Sequence, residues 1–195
     1  MTTSPKIRLM AAAVVLFASG CATRSDPWIC SDYRSTRNCI GGQYLPGGHH
    51  GIDFGVDAGT EVISATYGRV ARLRTDKCVG YQIEVETDMV GRSGEVEGRV
   101  FAIYAHAKPI DGLAKSQEIK PGDPIAHVIP LLGTSCYGSR EHVHYELRVK
   151  NDASLDIDPH QFWVDGPSKV TCFKAGAIIP PGKAVAPVQC QAKGS

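Results

Sequence analysis

Five side chains in three separate segments of the sequence have the types and spacing of a single metal centre: His49, Asp53, His106, His142 and His144. Two imidazoles and one carboxylate can hold a zinc ion and leave its fourth position to water. Two further imidazoles beside the ion can move protons or stabilise charge. This combination indicates the chemistry of a metal-dependent hydrolase.

The His-x-His pair belongs to a run that alternates like a β-strand. Side chains two apart on a strand share a face, so one face of this run is polar: His142, His144, Glu146 and Arg148. The opposite face is apolar and suits a core: Val143, Tyr145, Leu147 and Val149. Neighbours on one face lie roughly 6–7 Å apart. We therefore expect one histidine of the pair to bind the ion and the other to assist beside it.

The first of the three segments is rich in glycine. His49 and Asp53 are four residues apart, but a helix is disfavoured there because each glycine costs about 1 kcal/mol relative to alanine. We expect a turn that leads into a strand and brings His49 toward Asp53. Gly51 would let the backbone pass close to the metal or adopt a positive φ. His50 is a rival ligand, and the chemistry of the residues leaves the choice between His49 and His50 open.

Short β-like runs separated by Gly, Pro and Asp follow one another through the centre of the chain. Residues 81–85 alternate between apolar and polar types, residues 100–106 are mostly apolar, and a Pro-Gly-Asp turn at 121–123 precedes another apolar run at 124–128. Strands of this length and spacing predict an all-β fold, either an antiparallel barrel or a sandwich. One short helix is expected near residues 159–163.

The first twenty residues have the features of an export signal. Two basic residues precede an apolar stretch at 9–17 that is too short to span a bilayer as a helix. The sequence Ala-Ser-Gly-Cys at 18–21 resembles the lipobox of bacterial lipoproteins, in which the cysteine is lipidated and becomes the new N-terminus. That resemblance implies an exported outer-membrane lipoprotein facing the periplasm, firmly anchored if Cys21 carries several acyl chains. The alternative is an ordinary cleaved signal that leaves Cys21 in the mature protein.

Six cysteines remain after Cys21, and an even number in an exported chain predicts disulfides. Proximity in the sequence predicts the pairs Cys30–Cys39, Cys78–Cys136 and Cys172–Cys190, with buried free thiols as the alternative. The formal net charge is +1 and the sequence has no basic run, which argues against a nucleic-acid partner. The hydrophobic fraction of 43% is ordinary for a globular protein with a core.

The motifs occur in a characteristic order: His-x-Gly-x-Asp at 49–53, Tyr-Ala-His at 104–106 and His-x-His at 142–144. In this order they resemble the lysostaphin-type, or LytM-like, zinc peptidases, which cut bacterial peptidoglycan. The stretch 59–70, the turn at 120–125 and the Asp-Pro at 158–159 also match the family's pattern, so the resemblance runs from about residue 48 to 163. Tyr145 stands where the family commonly has Phe.

The resemblance implies that His49, Asp53 and His144 bind one zinc ion and that His106 and His142 are catalytic. It selects His49 over His50, and it implies an antiparallel β-sheet core with a groove above the sheet. The resulting domain prediction is a lipoprotein signal peptide at 1–20, a tether and short segment at 21–45, the peptidase domain at 46–165, and a Pro/Gly-rich appendage at 166–195.

The function implied is a zinc-dependent endopeptidase acting on peptidoglycan stem peptides or cross-links. We assign proton transfer from water to His142 and stabilisation of the oxyanion to His106, although the two roles can be exchanged. The alternative is a non-catalytic LytM-like regulator that activates a separate amidase. Such regulators have typically lost zinc ligands, whereas this chain has all three. The expected partners are peptidoglycan, the membrane through Cys21, and other cell-wall enzymes or regulators.

Overall fold

The computed structural model describes residues 27–37, 39, 45–76, 79–91, 94–95, 99–130, 140–150 and 152–190. Within them, the main sheet has eight strands: β1 (Ile29–Ser31), β2 (Ile52–Gly55), β4 (Gly68–Asp76), β5 (Gly80–Thr87), β8 (Val100–Ala105), β10 (Glu118–Ile119), β12 (His142–Val149) and β13 (Asp156–Ile157). A three-stranded sheet contains β3 (Glu61–Ile63), β9 (Ala107–Pro109) and β11 (Pro124–Val128). A small ribbon pairs β6 (Val90–Gly91) with β7 (Gly94–Glu95).

All named strand pairs are antiparallel, so the predicted all-β, antiparallel fold is confirmed. The helices of the described residues are two short 3-10 turns, Ala153–Leu155 and Pro159–Gln161, the second of which falls at the predicted helix. None of the helices in this described part is long and apolar enough to cross a membrane. The predicted signal at 1–20 lies outside the described residues.

Strand β12 lies inside the main sheet, between β2 and β8. Its register places His144 opposite Asp53 of β2 on one side and opposite Ala105 of β8 on the other. Because directly opposed residues of an antiparallel pair have side chains on the same face, two of the predicted ligands become neighbours through strand pairing alone.

The apolar face of β12 supports a single core beneath the site. Val143, Tyr145 and Leu147 are fully buried there, as the sequence alternation predicts. The ring of Tyr145 lies 6.1 Å, centroid to centroid, from that of Trp163, and Trp163 meets Phe54 of β2 edge-on at 6.4 Å. Each fully buried large side chain of this kind stabilises the fold by roughly 1.5–3 kcal/mol, so the strands that carry the site rest on a rigid base.

Two of the predicted disulfides, Cys30–Cys39 and Cys172–Cys190, are formed. The predicted Cys78–Cys136 pair lies outside the described residues. Near the C-terminus, Val185 donates a backbone hydrogen bond to the Ala65 carbonyl at 3.0 Å, and residues 184–186 are fully buried. Part of the segment predicted as an appendage therefore closes one side of the core.

Candidate metal centre

Three of the predicted residues converge on one point above the β2–β12 pair. His49 Nε2 lies 3.0 Å from His144 Nδ1 and 3.1 Å from Asp53 Oδ1. His144 Nδ1 lies 2.9 Å from the same carboxylate oxygen. A tetrahedral zinc with bonds near 2.0–2.1 Å holds its ligand atoms about 3.3 Å apart. The three atoms thus have nearly the separation that a zinc ion requires.

The second oxygen of Asp53 gives an independent test of whether a cation fits here. Within the described part of the chain, Asp53 Oδ2 is buried and has no hydrogen-bond partner. A buried carboxylate oxygen without a partner is costly, and a coordinated cation would satisfy it. The donor set of two imidazoles and one carboxylate is one that zinc accepts with a position left for water. The residues therefore fit the ion that the sequence predicts.

Gly51 allows the ligand-bearing segment to pass close to β12. A Cβ atom at this position would lie 2.9 Å from His144 Cε1 and would also overlap the Tyr145 carbonyl. Since such contacts are shorter than real Cβ atoms adopt, a side chain here would push His144 or the strand away. Of the two roles expected for Gly51, the structure shows the close approach of the backbone.

His50 turns away from this cluster. Its Nδ1 lies 3.2 Å from Asp156 Oδ2, and its side chain is about half exposed at 47%. Arg34 contacts the other oxygen of the same carboxylate at 3.0 Å. The structure therefore gives the rival ligand a different partner and brings His49 into the cluster.

The ring of each histidine predicted as a ligand also has a contact on its far side. His49 Nδ1 lies 3.2 Å from both the Ser31 hydroxyl and the Asp32 carbonyl. His144 Nε2 lies 3.2 Å from the buried carboxylate of Glu146. Each ring can donate its N–H outward to these acceptors, so the nitrogen facing the cluster keeps the lone pair that a metal needs.

The two remaining histidines line the same cavity, which has a volume of about 200 Å³. Their outer contacts are backbone carbonyls: His142 Nδ1 lies 2.8 Å from the Arg140 carbonyl, and His106 Nδ1 lies 3.0 Å from that of Val79. Their ring centroids are 4.6 Å apart, and His142 Nε2 is 3.6 Å from Asp53 Oδ1. Both rings are thus neutral N–H donors on the outside and hold a lone pair on Nε2.

His106 adopts an unusual backbone conformation. It separates β8 of the main sheet from β9 of the second sheet, and its φ is +63°. A non-glycine residue in the left-handed region costs of order 1–3 kcal/mol and persists where its surroundings determine it. Here its N–H donates to the Tyr81 carbonyl at 3.0 Å and its carbonyl accepts from Ile129 at 3.0 Å. The corner between the sheets therefore fixes this imidazole at the cavity.

The pKa values of three of the histidines are shifted, and not all in the same direction. Burial lowers the pKa of His106 to about 3, with repulsion from His142 and His144 acting in the same direction. Burial also lowers the pKa of His142. Burial opposes a charge on His144 as well, but its contacts with Asp53 and Glu146 outweigh that effect and raise its pKa to about 9. A cation bound by the same atoms would replace the proton, because metal ligands must be deprotonated.

The sequence assigned no role at the centre to some of the residues around it. Glu146 and Arg148 extend the polar face of β12, and Arg148 Nη2 donates to Glu146 Oε2 at 2.7 Å. The strand alternation placed Glu146 beside His144 and could have indicated this contact. Ser31 and Asp32 are far from the motifs in sequence and carry no comparable signal.

A sequence model of the family described as Peptidase family M23 matches residues 47–157, more than half of the 195 residues. Among solved structures, the catalytic domain of the antimicrobial peptidase lysostaphin from Staphylococcus simulans matches with 21% identity and a TM-score of 0.50, covering 68% of this chain and 89% of that one. A structure of lysostaphin from the same organism matches with 20% identity and a TM-score of 0.54, covering 80% of this chain and 56% of that one. These similarities support the fold.

Proposed function

The chain belongs to peptidase family M23, and from that membership we propose that it is a zinc-dependent endopeptidase that hydrolyses peptide bonds in peptidoglycan stem peptides or cross-links. The geometry of the metal centre gives the strongest support to this endopeptidase activity. Three ligand atoms of His49, Asp53 and His144 lie within 4.8 Å of one another, beside a cavity that His106 and His142 also line. A site for cation storage alone would not need the last two imidazoles.

A zinc ion held by His49, Asp53 and His144 would lower the pKa of a bound water and polarise the scissile carbonyl. The protein's own contribution is to place proton acceptors beside it. His142 donates from Nδ1 to the Arg140 carbonyl and holds a lone pair on Nε2, 3.6 Å from Asp53 Oδ1. Because its pKa is lowered, the ring is neutral near pH 7 and can accept a proton from water.

The role of His106 needs one further condition. A ring whose Nδ1–H is donated to the Val79 carbonyl has no hydrogen on Nε2, so it accepts a proton before it can donate to an oxyanion. Burial, which lowers its pKa to about 3, opposes that protonation in the resting enzyme. We therefore retain His142 as the first proton acceptor and propose that His106 acts on the oxyanion only after it takes up a proton.

The cavity extends from the metal ligands across the main sheet. Its floor contains Ile103 and Ala105 of β8, and Gln82 and Arg148 stand on either side. An apolar floor with polar walls suits an extended peptide, whose backbone can bond to the walls. We propose a D-Ala–diaminopimelate cross-link as the substrate, because an outer-membrane anchor implies a wall without glycine bridges.

Digestion of purified sacculi tests this function. The mature protein with zinc should release muropeptides whose masses identify the cleaved bond, and a chelator should abolish the release. His50→Ala is a matched control for His49→Ala, because the two residues are adjacent and only His49 belongs to the cluster. Release by the first variant and none by the second is the expected result.

The regulator alternative predicts a different outcome in the same assay. No muropeptides would appear from the protein alone, and release would begin only when a peptidoglycan amidase is added. The products would then carry the free N-termini of intact stem peptides, whereas an endopeptidase cuts within the peptide. That pattern would replace the enzyme proposal with an activating role.

We also propose that the protein is an outer-membrane lipoprotein anchored through Cys21. The proposal depends on the lipobox-like sequence at 18–21, which lies outside the described residues. Mass spectrometry of the mature N-terminus should show an acylated Cys21. An unmodified chain beginning elsewhere would indicate an ordinary cleaved signal.

A further inference from the structure

Ser31 lies in the N-terminal segment, outside the residues that match the family. It is buried, with 4% of its surface exposed, and its hydroxyl donates to the Arg37 carbonyl at 2.7 Å. A serine hydroxyl has one hydrogen and two lone pairs. Since the hydrogen is used on Arg37, the hydroxyl can face His49 Nδ1, 3.2 Å away, only as an acceptor.

That restriction determines the tautomer of His49. If Ser31 can only accept, His49 must carry its hydrogen on Nδ1, and the Asp32 carbonyl, also 3.2 Å away, makes the same demand because a carbonyl never donates. The other nitrogen, Nε2, then has the lone pair directed at Asp53 and His144. Two acceptors from one short segment thus prepare this imidazole for a cation.

The same segment also holds the backbone of His49. Arg34 N–H donates to the His49 carbonyl at 2.7 Å, and His49 N–H donates to the Ser35 carbonyl at 2.8 Å. Ser31 is directly opposite Asp53 in the β1–β2 pair, so it adjoins a second ligand. The disulfide Cys30–Cys39 encloses these residues in one loop. The backbone position of His49, the orientation of its ring and the strand pairing beside Asp53 therefore all depend on this one segment.

We propose that Ser31 is a positioning residue of the metal centre, and that the loop closed by Cys30–Cys39 is a built-in part of the site which the family match does not include. The proposal rests on the proposed zinc function of His49. Its prediction concerns metal affinity, which can be measured whether or not the protein cleaves peptidoglycan.

The test compares zinc affinity, by competition with a chromogenic chelator, in the mature protein and in two variants. Outer-shell partners of metal-bound histidines typically contribute 10–100-fold in affinity. Ser31→Ala should weaken zinc binding by about tenfold, the lower end of that range, because the Asp32 carbonyl remains. Thr36→Ala is the matched control: it removes a hydroxyl from the same disulfide-closed loop, at an exposed residue that is not among the partners of His49 in the described part of the chain. It should bind zinc like the wild type.

A second measurement needs no variant that might misfold. In the zinc-loaded wild-type protein, the His49 Nδ1–H should give a downfield NMR signal that exchanges slowly with water, because His49 is buried and two acceptors hold this hydrogen. The signal should shift in Ser31→Ala and stay in place in Thr36→Ala. Unchanged zinc affinity in Ser31→Ala, equal losses in both variants, or rapid exchange in the wild type would each overturn the proposal. If zinc affinity behaves as expected but sacculi stay intact, only the proposed hydrolysis fails.

Discussion

The centre contains two groups of side chains, the predicted ligands and the predicted helpers, that differ in how closely carboxylates contact them. The ligand group, His49, Asp53 and His144, includes a carboxylate, and its His144 is backed by a second carboxylate from Glu146. The helper pair, His106 and His142, is backed by backbone carbonyls. Carboxylates favour a positive charge between them, whereas the carbonyls orient the helper rings and burial lowers the pKa values of these rings and leaves them neutral. One buried cavity can therefore hold a cation and neutral bases a few ångströms apart.

The largest expected effect comes from removing the shared carboxylate of the ligand group. Asp53→Ala should abolish stoichiometric zinc binding and with it all detectable hydrolysis, because Asp53 Oδ1 contacts both ligand histidines. Metal content after dialysis, measured by atomic spectroscopy, checks the first part and sacculus digestion the second. Full zinc occupancy in this variant would show that the ligand group is wrongly chosen.

The helper pair should lose activity without losing metal. His142→Ala is expected to retain zinc and to lower the rate of cleavage by roughly 10²–10⁴-fold, the usual contribution of a positioned proton-transfer group. For His106, asparagine is the better replacement because it tolerates the positive φ of this corner. His106→Asn should also retain zinc and lose of order 10²–10³-fold if it serves the oxyanion.

The distinction between the two groups would be wrong if His142→Ala or His106→Asn lost zinc as Asp53→Ala is expected to do. Loss of zinc from His142→Ala would move His142 into the ligand group, in keeping with its Nε2 lying only 3.6 Å from Asp53 Oδ1. Wild-type rates in His142→Ala, together with a large loss in His106→Asn, would exchange the two catalytic roles. Zinc content and initial rates, measured on the same preparations, separate these outcomes.

The strand that carries His142 and His144 shows how much the sequence could predict. Alternation gave the polar and apolar faces of β12, and strand pairing then set His144 opposite Asp53. The family pattern supplied the choice of His49 over His50, which the chemistry of the residues left open. The side chain of His50 instead meets Asp156, a contact 106 residues away along the chain that no local pattern encodes.

Other features depend on long-range contacts that have no periodic signature. The left-handed corner at His106 arises where two sheets meet. Histidine is one of the non-glycine residues enriched at positive φ, but this preference does not show which histidine of the chain adopts it. The support of His49 by Ser31 depends on how an N-terminal loop folds back over β2. The predicted disulfide Cys30–Cys39 closes this loop but does not indicate what it contacts.

A smaller effect follows from the opposite pKa shifts of His106 and His144. His106 has a folded pKa of about 3 against an ordinary value of 6.5. The unfolded chain therefore binds the proton first, and stability that is full above pH 6.5 is lost as the pH falls toward 3. In protein stripped of zinc, His144 acts in reverse: its pKa of about 9 gives stability that is lost as the pH rises from 6.5 toward 9.

Urea unfolding of zinc-stripped protein across this pH range measures both losses of stability. We call the loss toward pH 3 the acid arm and the loss toward pH 9 the alkaline arm. One such group changes the free energy of unfolding by at most about 1.4 kcal/mol per pH unit. The acid arm should be shallower in His106→Asn, while the alkaline arm is unchanged. Saturating zinc should flatten the alkaline arm, because a bound ligand has no proton to lose. Identical acid arms in wild type and His106→Asn would remove the electrostatic distinction between the two groups.

The smallest effect is expected one residue away from the ligand group, on the core face of β12. Among the described residues, the buried hydroxyl of Tyr145 has no hydrogen-bond partner, and it stands where the family commonly has Phe. Tyr145→Phe should raise the free energy of unfolding by about 1 kcal/mol, because a buried polar group without a partner costs at least that much. Zinc affinity should not change, since the side chain points away from His144 and Glu146. A changed zinc affinity would mean that the core face of β12 also influences the ligand group. The polar contacts of the imidazoles would then not explain the difference between the ligand group and the helper pair on their own.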